Sequence, residues 1–235
     1  MNMIVPEEAR LEIKFIADER HEQLLISWFE GHPACFLEPF PGRWVNNVYF
    51  DTYDYLAFRQ NLSGASQRYK VRYRWYGQCD LPGRGALEVK CKRNFFGWKL
   101  RYPADDAPCR EGDRWHDMRR RLAMQLPAAG RPWLEANPQP VILNRYHRRY
   151  MVTHDAKVRA TIDTQMAVYD QRYKPQPNLW RSSNMPKLLV VELTSGTYQY
   201  AGVSPEVWRR FSSASSPWSY FRDNIDEEFA AKRVR

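Results

Sequence analysis

The sequence predicts an α+β fold built on a largely antiparallel sheet, and three observations lead there. Most of its apolar segments alternate with polar residues at the two-residue period of a strand. Short Gly/Pro turns join several of these segments, and helical spacing is concentrated elsewhere in the chain. The chain also has 235 residues, of which 43% are hydrophobic, and nine tryptophans. That is enough for a real core and excludes a disordered chain, although length alone does not choose between one large domain and two small ones.

In chain order, Arg10-Leu11-Glu12-Ile13-Lys14-Phe15 alternates as a strand. A helix follows, with Asp18 as N-cap, an apolar stripe of Leu24, Leu25, Trp28 and Phe29, and Gly31 as its stop. Asn46 to Asp51 is a strand, and Tyr53 to Gly64 a short helix or turn. The clearest strand is Arg68-Tyr69-Lys70-Val71-Arg72-Tyr73-Arg74-Trp75-Tyr76, aromatic and alternating throughout. After a turn around Pro82 to Gly85 come the strands Leu87 to Lys92 and Trp98 to Tyr102. Glu111 to Leu126 is helical, with Trp115, Met118 and Leu122 on one side and Arg119-Arg120-Arg121 as a solvated basic face. Pro127 to Pro140 reads as a proline-rich connection. Three strands follow, Leu143 to Val152, Lys157 to Asp163 and Leu188 to Thr194, with a loop from Tyr173 to Met185. Ser204-Pro205-Glu206 starts a helix, and a last helix is expected over Tyr220 to Lys232.

The formal charge of +9 suggests an anionic partner, and its distribution narrows the class. Alternation places Arg68, Lys70, Arg72 and Arg74 on one strand face, Glu88, Lys90 and Lys92 on another, Lys99 with Arg101 on a third, and Lys157 with Arg159 on a fourth. Water explains why such faces are polar but not why they share a sign, since like charges on neighbouring strands repel. A polyanion such as a phosphate chain offsets them. If the sheet closes into a barrel, these faces line its lumen, and Glu12, Glu88 and Glu192 supply carboxylates suited to a divalent metal bridging phosphate oxygens. Nucleic acid ranks last among the anions, because the aromatics of Tyr69 to Tyr76 should alternate away from the cations into the core.

Cys35, Cys79, Cys91 and Cys109 form no CxxC pair, and the five histidines converge on no triad or metal spacing. No secretory signal pattern opens the sequence and no run reaches membrane-spanning length, so a reduced, cytoplasmic protein is expected.

The ordered segments Arg10-x-Glu12-x-Lys14-Phe15, Asn47-Val48-Tyr49-Phe50-Asp51-Thr52, Arg68-x-Lys70-x-Arg72-x-Arg74-x-Tyr76 and Leu87-Glu88-Val89-Lys90-x-Lys92 resemble the catalytic domain of the vacuolar transporter chaperone (VTC) family. That family belongs to the triphosphate tunnel metalloenzymes. Tyr146-x-Arg148, Arg159-x-Thr161-x-Asp163 and Val191-Glu192-Leu193 continue the order, so the resemblance runs from Arg10 to about Tyr220. It implies a single domain over residues 1–235, folded as an antiparallel eight-stranded β-barrel, a tunnel surrounded by helices. It further implies binding of ATP, another triphosphate or inorganic polyphosphate with Mn2+ or Mg2+, and polyphosphate polymerase or nucleotide phosphotransferase activity. A triphosphatase using water as acceptor and a non-catalytic polyphosphate-binding module are the alternatives.

Carried over by position, Arg72, Arg74, Lys90, Lys99, Arg148 and Arg159 would hold phosphates, with Arg72, Arg74 and Lys90 at the reacting group. Glu192 would ligate the metal. Glu12 and Lys14 match the first strand of bacterial-type relatives. Arg10, Arg68, Lys70 and Lys92 complete the expected substrate-binding set, and Glu12 and Glu88 the metal set. A membrane-protein partner that receives the product is left open. Two positions depart from the family pattern: Thr194 stands where the lysine of Glu-x-Lys is usual after Glu192, and Trp218-Ser219-Tyr220 lacks the lysine of a Ser-Lys-Tyr-like motif.

Overall fold

Alternating apolar faces become a single sheet in the computed structural model, which describes residues 12–94, 96–180, 188–195, 198–200, 206–207, 210 and 231–233. The strands are β1 (Glu12–Asp18), β2 (Phe36–Leu37), β3 (Arg43–Asp51), β4 (Gln67–Tyr76), β5 (Gly85–Arg93), β6 (Phe96–Ala104), β7 (Gln139–Thr153), β8 (Val158–Asp170) and β9 (Leu188–Ser195). They pair antiparallel in the order β1-β9-β8-β7-β3-β4-β5-β6, with the two-residue β2 beside β7. Four helices, α1 (Glu22–Gly31), α2 (Leu56–Leu62), α3 (Trp115–Gln125) and α4 (Arg131–Ala136), stand between strands. A separate ribbon pairs β10 (Tyr198–Tyr200) with β11 (Ala231–Arg233). The α+β, antiparallel expectation is met. The closed barrel is corrected to a curled sheet: among the described residues no ladder joins β1 to β6.

Helices α1, α3 and α4 pack on one face of this sheet. Met118 and Leu122 of α3 and Leu134 of α4 join Val48, Phe50, Val71, Tyr73, Trp75, Leu87 and Val89 in the larger core cluster. Ile26 and Phe29 of α1 pack with Met151, Ala160 and Ile162 of β7 and β8 in a smaller one. Burial of each Val, Leu, Ile, Phe or Met side chain among them contributes about 1.5–3 kcal/mol of hydrophobic free energy. Tyr69 packs edge-on against Trp133 with ring centroids 5.3 Å apart, and Tyr73 stacks on Trp75 at 6.1 Å, which places these aromatics in the core as expected.

Local chemistry sets the ends of the elements. The buried Asp51 closing β3 accepts hydrogen bonds from the backbone N–H groups of Ala57 (2.9 Å) and Phe58 (3.0 Å), satisfying donors of the first turn of α2. Gly85 opens β5 where a Cβ would lie 2.0 Å from the Arg74 carbonyl oxygen, so only glycine lets the two strands meet there. A register shift between Arg145 and His147 marks a bulge opposite β8, and Gln165 at φ 52° lies within it. Since a one-residue slip exchanges faces, the bulge sends Ala167 and Tyr169 to the face opposite Asp163.

Four expectations change. In α1 the buried residues are Ile26 and Phe29, while Leu24 and Trp28 are exposed. The Pro127–Pro140 connection contains α4, which has proline in its first turn. Arg119 and Arg121 are not a solvated face: Arg119 donates to the carbonyls of Asn137 and Leu134 at 2.7 Å, and Arg121 donates to that of Pro108 at 2.9 Å and pairs with Asp113. Ala231 and Lys232 form a strand rather than the end of a helix. The start expected at Ser204-Pro205 and residues 220–230 lie outside the described residues. Cys91 and Cys109 are buried, which pushes each thiol up to about 11, and Cys35 and Cys79 are exposed. No helix among the described residues is long and apolar enough to cross a membrane.

Candidate functional site

Residues directly opposite each other across an antiparallel ladder share a face, so the register defines the site before any side chain is considered. Across β3, β4, β5 and β6, Tyr49, Arg72, Glu88 and Arg101 fall in one row. One row over stand Lys70, Lys90 and Lys99, and beyond them Arg68 and Lys92. On the other side of the Glu88 row lie Asn144, Asn47 and Arg74. On β7 and β8, Arg148 is opposite Asp163 and also opposite Arg43 of β3. All belong to the face opposite the helices. The alternation thus brings Arg68, Lys70, Arg72, Arg74, Lys90, Lys92 and Lys99 onto one face across the neighbouring strands β4, β5 and β6.

The centre of this face is a buried charge cluster. Arg72 (6% exposed) donates from Nε (2.9 Å) and Nη2 (2.7 Å) to one oxygen of Glu88 (2% exposed). Arg74 Nε lies 3.9 Å from the same carboxylate, and Lys99 Nζ 3.3 Å from its other oxygen. One carboxylate therefore serves three cations. The remaining donors of the arginines are aimed by neutral groups. Arg72 donates to the Tyr49 hydroxyl at 3.1 Å, and Arg74 donates to the Asn47 carbonyl oxygen at 2.7 Å and to the Tyr146 hydroxyl at 2.9 Å. Asn47 is held in turn by donating to Asn144 at 2.7 Å. Fixed guanidinium forks are pre-organised for oxyanions.

The acidities record the excess positive charge. Burial raises the Glu88 carboxyl, but Arg72, Arg74 and Lys99 outweigh it and hold it at about 2. Burial likewise raises the Tyr49 phenol, yet Arg72, Arg74 and Lys90 bring it down to about 8. Tyr146 stays above its usual range because burial there exceeds the pull of Arg74 and Arg148. Glu88, Tyr49 and Tyr146 thus report one field with different degrees of burial.

The other expected residues are placed as follows. Arg68 donates to the Ala65 carbonyl at 2.5 Å, at the outer end of β4. Lys70 is exposed and Lys90 and Lys92 are half-buried. Arg148 makes a two-pronged pair with Asp163, at 2.6 and 2.7 Å, and Arg159 is exposed farther along β8. Arg10 and the side chains of Lys14, Glu12 and Glu192 lie outside the described residues, although the backbone register sets Glu192 opposite Lys14 and Thr161, and Glu12 opposite Thr194. The described residues do not by themselves fit a divalent metal, since no group of three or more His, Cys, Asp or Glu side chains comes together among them. Glu88, expected as a metal ligand, is the carboxylate that Arg72, Arg74 and Lys99 approach in this structure.

Sequence reading passed over Tyr49, Asn47 and Tyr146 as site residues. Their signal was alternation: Asn47 and Tyr49 are two apart on β3, and Tyr146 is two from Arg148. Tyr76 is a correction. It follows Arg74 by two residues, so it shares the face of the cations rather than joining the core aromatics, and it is 39% exposed.

Comparison with known proteins gives one family match and a set of distant folds. The family described as the VTC domain matches residues 9–225. No curated protein matches the chain. Among solved structures, a candidate adenylate cyclase from Vibrio parahaemolyticus aligns at 8% identity and a TM-score of 0.43, covering 95% of this chain and 94% of that one. A Hippeastrum protein described as a candidate adenylyl cyclase with dominant triphosphatase activity aligns at 11% identity and 0.42, covering 94% and 100%. A Pyrococcus horikoshii protein aligns at 10% identity and 0.39, covering 94% and 93%.

Proposed function

The chain belongs to the VTC domain family, and from that premise we propose that it binds the phosphate chain of ATP, another triphosphate or inorganic polyphosphate along its cationic face. We further propose that it acts there as a metal-dependent polyphosphate polymerase or nucleotide phosphotransferase. One observation supports the anion site most directly: three cations, Arg72, Arg74 and Lys99, surround the single carboxylate of Glu88. A phosphate chain supplies the charge that one carboxylate does not.

In this reading Arg72 and Arg74 are the oriented donors. Glu88, Tyr49, Asn47 and Tyr146 fix their planes, so little reorganisation is needed as charge develops on a transferring phosphoryl group. Lys90 and Lys99, in the neighbouring row, extend the field along the chain of phosphates. No protein nucleophile is required, because phosphoryl transfer between phosphates rests on positioning and charge neutralisation. Mn2+ or Mg2+ belongs to the proposal only through Glu12 and Glu192, on the paired strands β1 and β9. Thr194, where the family pattern has lysine, favours a triphosphatase or a non-catalytic binding module as the second reading.

The test is incubation with ATP and Mn2+, following polymer length and released phosphate together. Growing chains identify a polymerase, phosphate alone a triphosphatase, and tight binding without turnover a binding module. Lys90→Ala and Lys99→Ala should each weaken tripolyphosphate binding, and Glu192→Ala should remove metal dependence. A wild-type protein that binds no tripolyphosphate at low salt sinks the proposal.

A further inference from the structure

Four residues at one end of the cationic face form an arrangement that phosphate binding does not use. Arg43, the first residue of β3, lies with its guanidinium carbon 4.1 Å from the centre of the Tyr76 ring, 5.1 Å from that of Tyr150 and 5.6 Å from that of Phe40. Its Nε donates to the Tyr150 hydroxyl at 3.2 Å, and no hydrogen bond of its two terminal nitrogens is found among the described residues. Phe40 packs on Tyr150 with ring centroids 4.7 Å apart. Phe40 and Tyr76 are nevertheless 44% and 39% exposed, so planar apolar surface stays open beside solvent-facing donors of Arg43.

The backbone holds this surface in place. Phe40 lies between Pro39 and Pro41, whose fixed φ angles stiffen the segment that presents it. At Gly42 a Cβ would meet the His147 ring at 2.6 Å, so the absence of a side chain lets the segment settle onto β7. A rigid, exposed aromatic loses little freedom on stacking.

We infer that Phe40, Arg43, Tyr76 and Tyr150 form a nucleobase platform, so that the cationic face takes a nucleoside triphosphate with its base stacked here. This rests on the proposed phosphate site. Aromatic faces and a guanidinium plane stack on a base, and the free Arg43 donors match the ring nitrogens and carbonyl oxygens of its edge. A phosphate gains nothing from the three rings. The spacing also fits: from Arg43 to Asn47, in the row of Arg74, is four residues of β3, about 13 Å at the strand rise, comparable with the reach from a base to its triphosphate chain. Tyr146 joins the two regions, accepting from Arg74 and lying with its ring 5.2 Å from the Arg148 guanidinium.

Dissociation constants for ATP and for inorganic tripolyphosphate, measured side by side, test the platform. Tyr76→Ala, Phe40→Ala and Arg43→Ala should each weaken ATP about fivefold or more and leave tripolyphosphate unchanged. Tyr76→Phe should keep ATP binding near wild type, and unchanged tripolyphosphate binding shows that each variant is folded. Equal loss of both ligands overturns the platform in favour of one more phosphate contact at Arg43, and no loss of either overturns it outright. The two readings fail separately. Wild-type protein that binds neither ligand ends both, whereas tripolyphosphate binding with an unmoved ATP ratio ends the platform alone.

Discussion

At Glu88 a carboxylate less than 3 Å from Arg72 is also 3.3 Å from Lys99, and its acidity is the measurable trace of both. Its folded-state value, about 2, lies below the ordinary 4.5, so the group contributes stability that is fully present above 4.5 and lost as the pH falls toward 2. A shift of this size is worth on the order of 3 kcal/mol. Glu88→Gln leaves three cations without their counter-charge and should cost about 3–5 kcal/mol at neutral pH. The gap from wild type should narrow between pH 4.5 and about 2, which urea titrations at several pH values would show. Tyr49 offers a second reading of the same field. A tyrosinate absorbance titration should show one phenol near 8, absent in Tyr49→Phe, and tripolyphosphate should push it upward by neutralising Arg72, Arg74 and Lys90. A phenol that ignores the ligand would place the anion elsewhere.

Among the elements, β4 decides most, because both of its faces are buried from Val71 to Trp75. Its odd residues pack under α3 while Arg72 and Arg74 face the charge cluster. Leu122→Ala in α3, fully buried, should lower stability by about 2–5 kcal/mol in thermal or urea unfolding without changing anion affinity at matched folded concentration. Gly85→Ala should do both kinds of harm: its Cβ meets the Arg74 carbonyl, so the β4–β5 ladder must shift and carry Arg74 away from Asn47 and Tyr146. Strands were legible because a period of two leaves few alternatives over nine residues. Helix faces were less so. In α1, Leu24 and Trp28 satisfy helical spacing as well as Ile26 and Phe29 do, and only packing against Met151 and Ile162 selects the buried stripe. Pro132, a first-turn signal, marked α4 within a segment otherwise read as connection.

Over the whole molecule the +9 charge sets how binding should respond to salt. Tripolyphosphate affinity should fall steeply between low and physiological ionic strength, while the buried Arg72–Glu88 pair, shielded from ions, should leave unfolding far less salt-sensitive. By itself the sequence determined the sheet, its antiparallel sense and the common face of Arg68, Lys70, Arg72 and Arg74, because side-chain alternation is a local property of a strand. Its ordered motifs determined the family. The tertiary structure alone decided that Glu88 neutralises cations, that Tyr49, Asn47 and Tyr146 aim the arginines, and that Phe40 meets Tyr76 and Tyr150 around Arg43. Those facts depend on which strands become neighbours and in what register. Register is fixed by cross-strand packing and bulges between segments as far apart as Glu12 and Thr194, a distance over which no local pattern in the chain carries information.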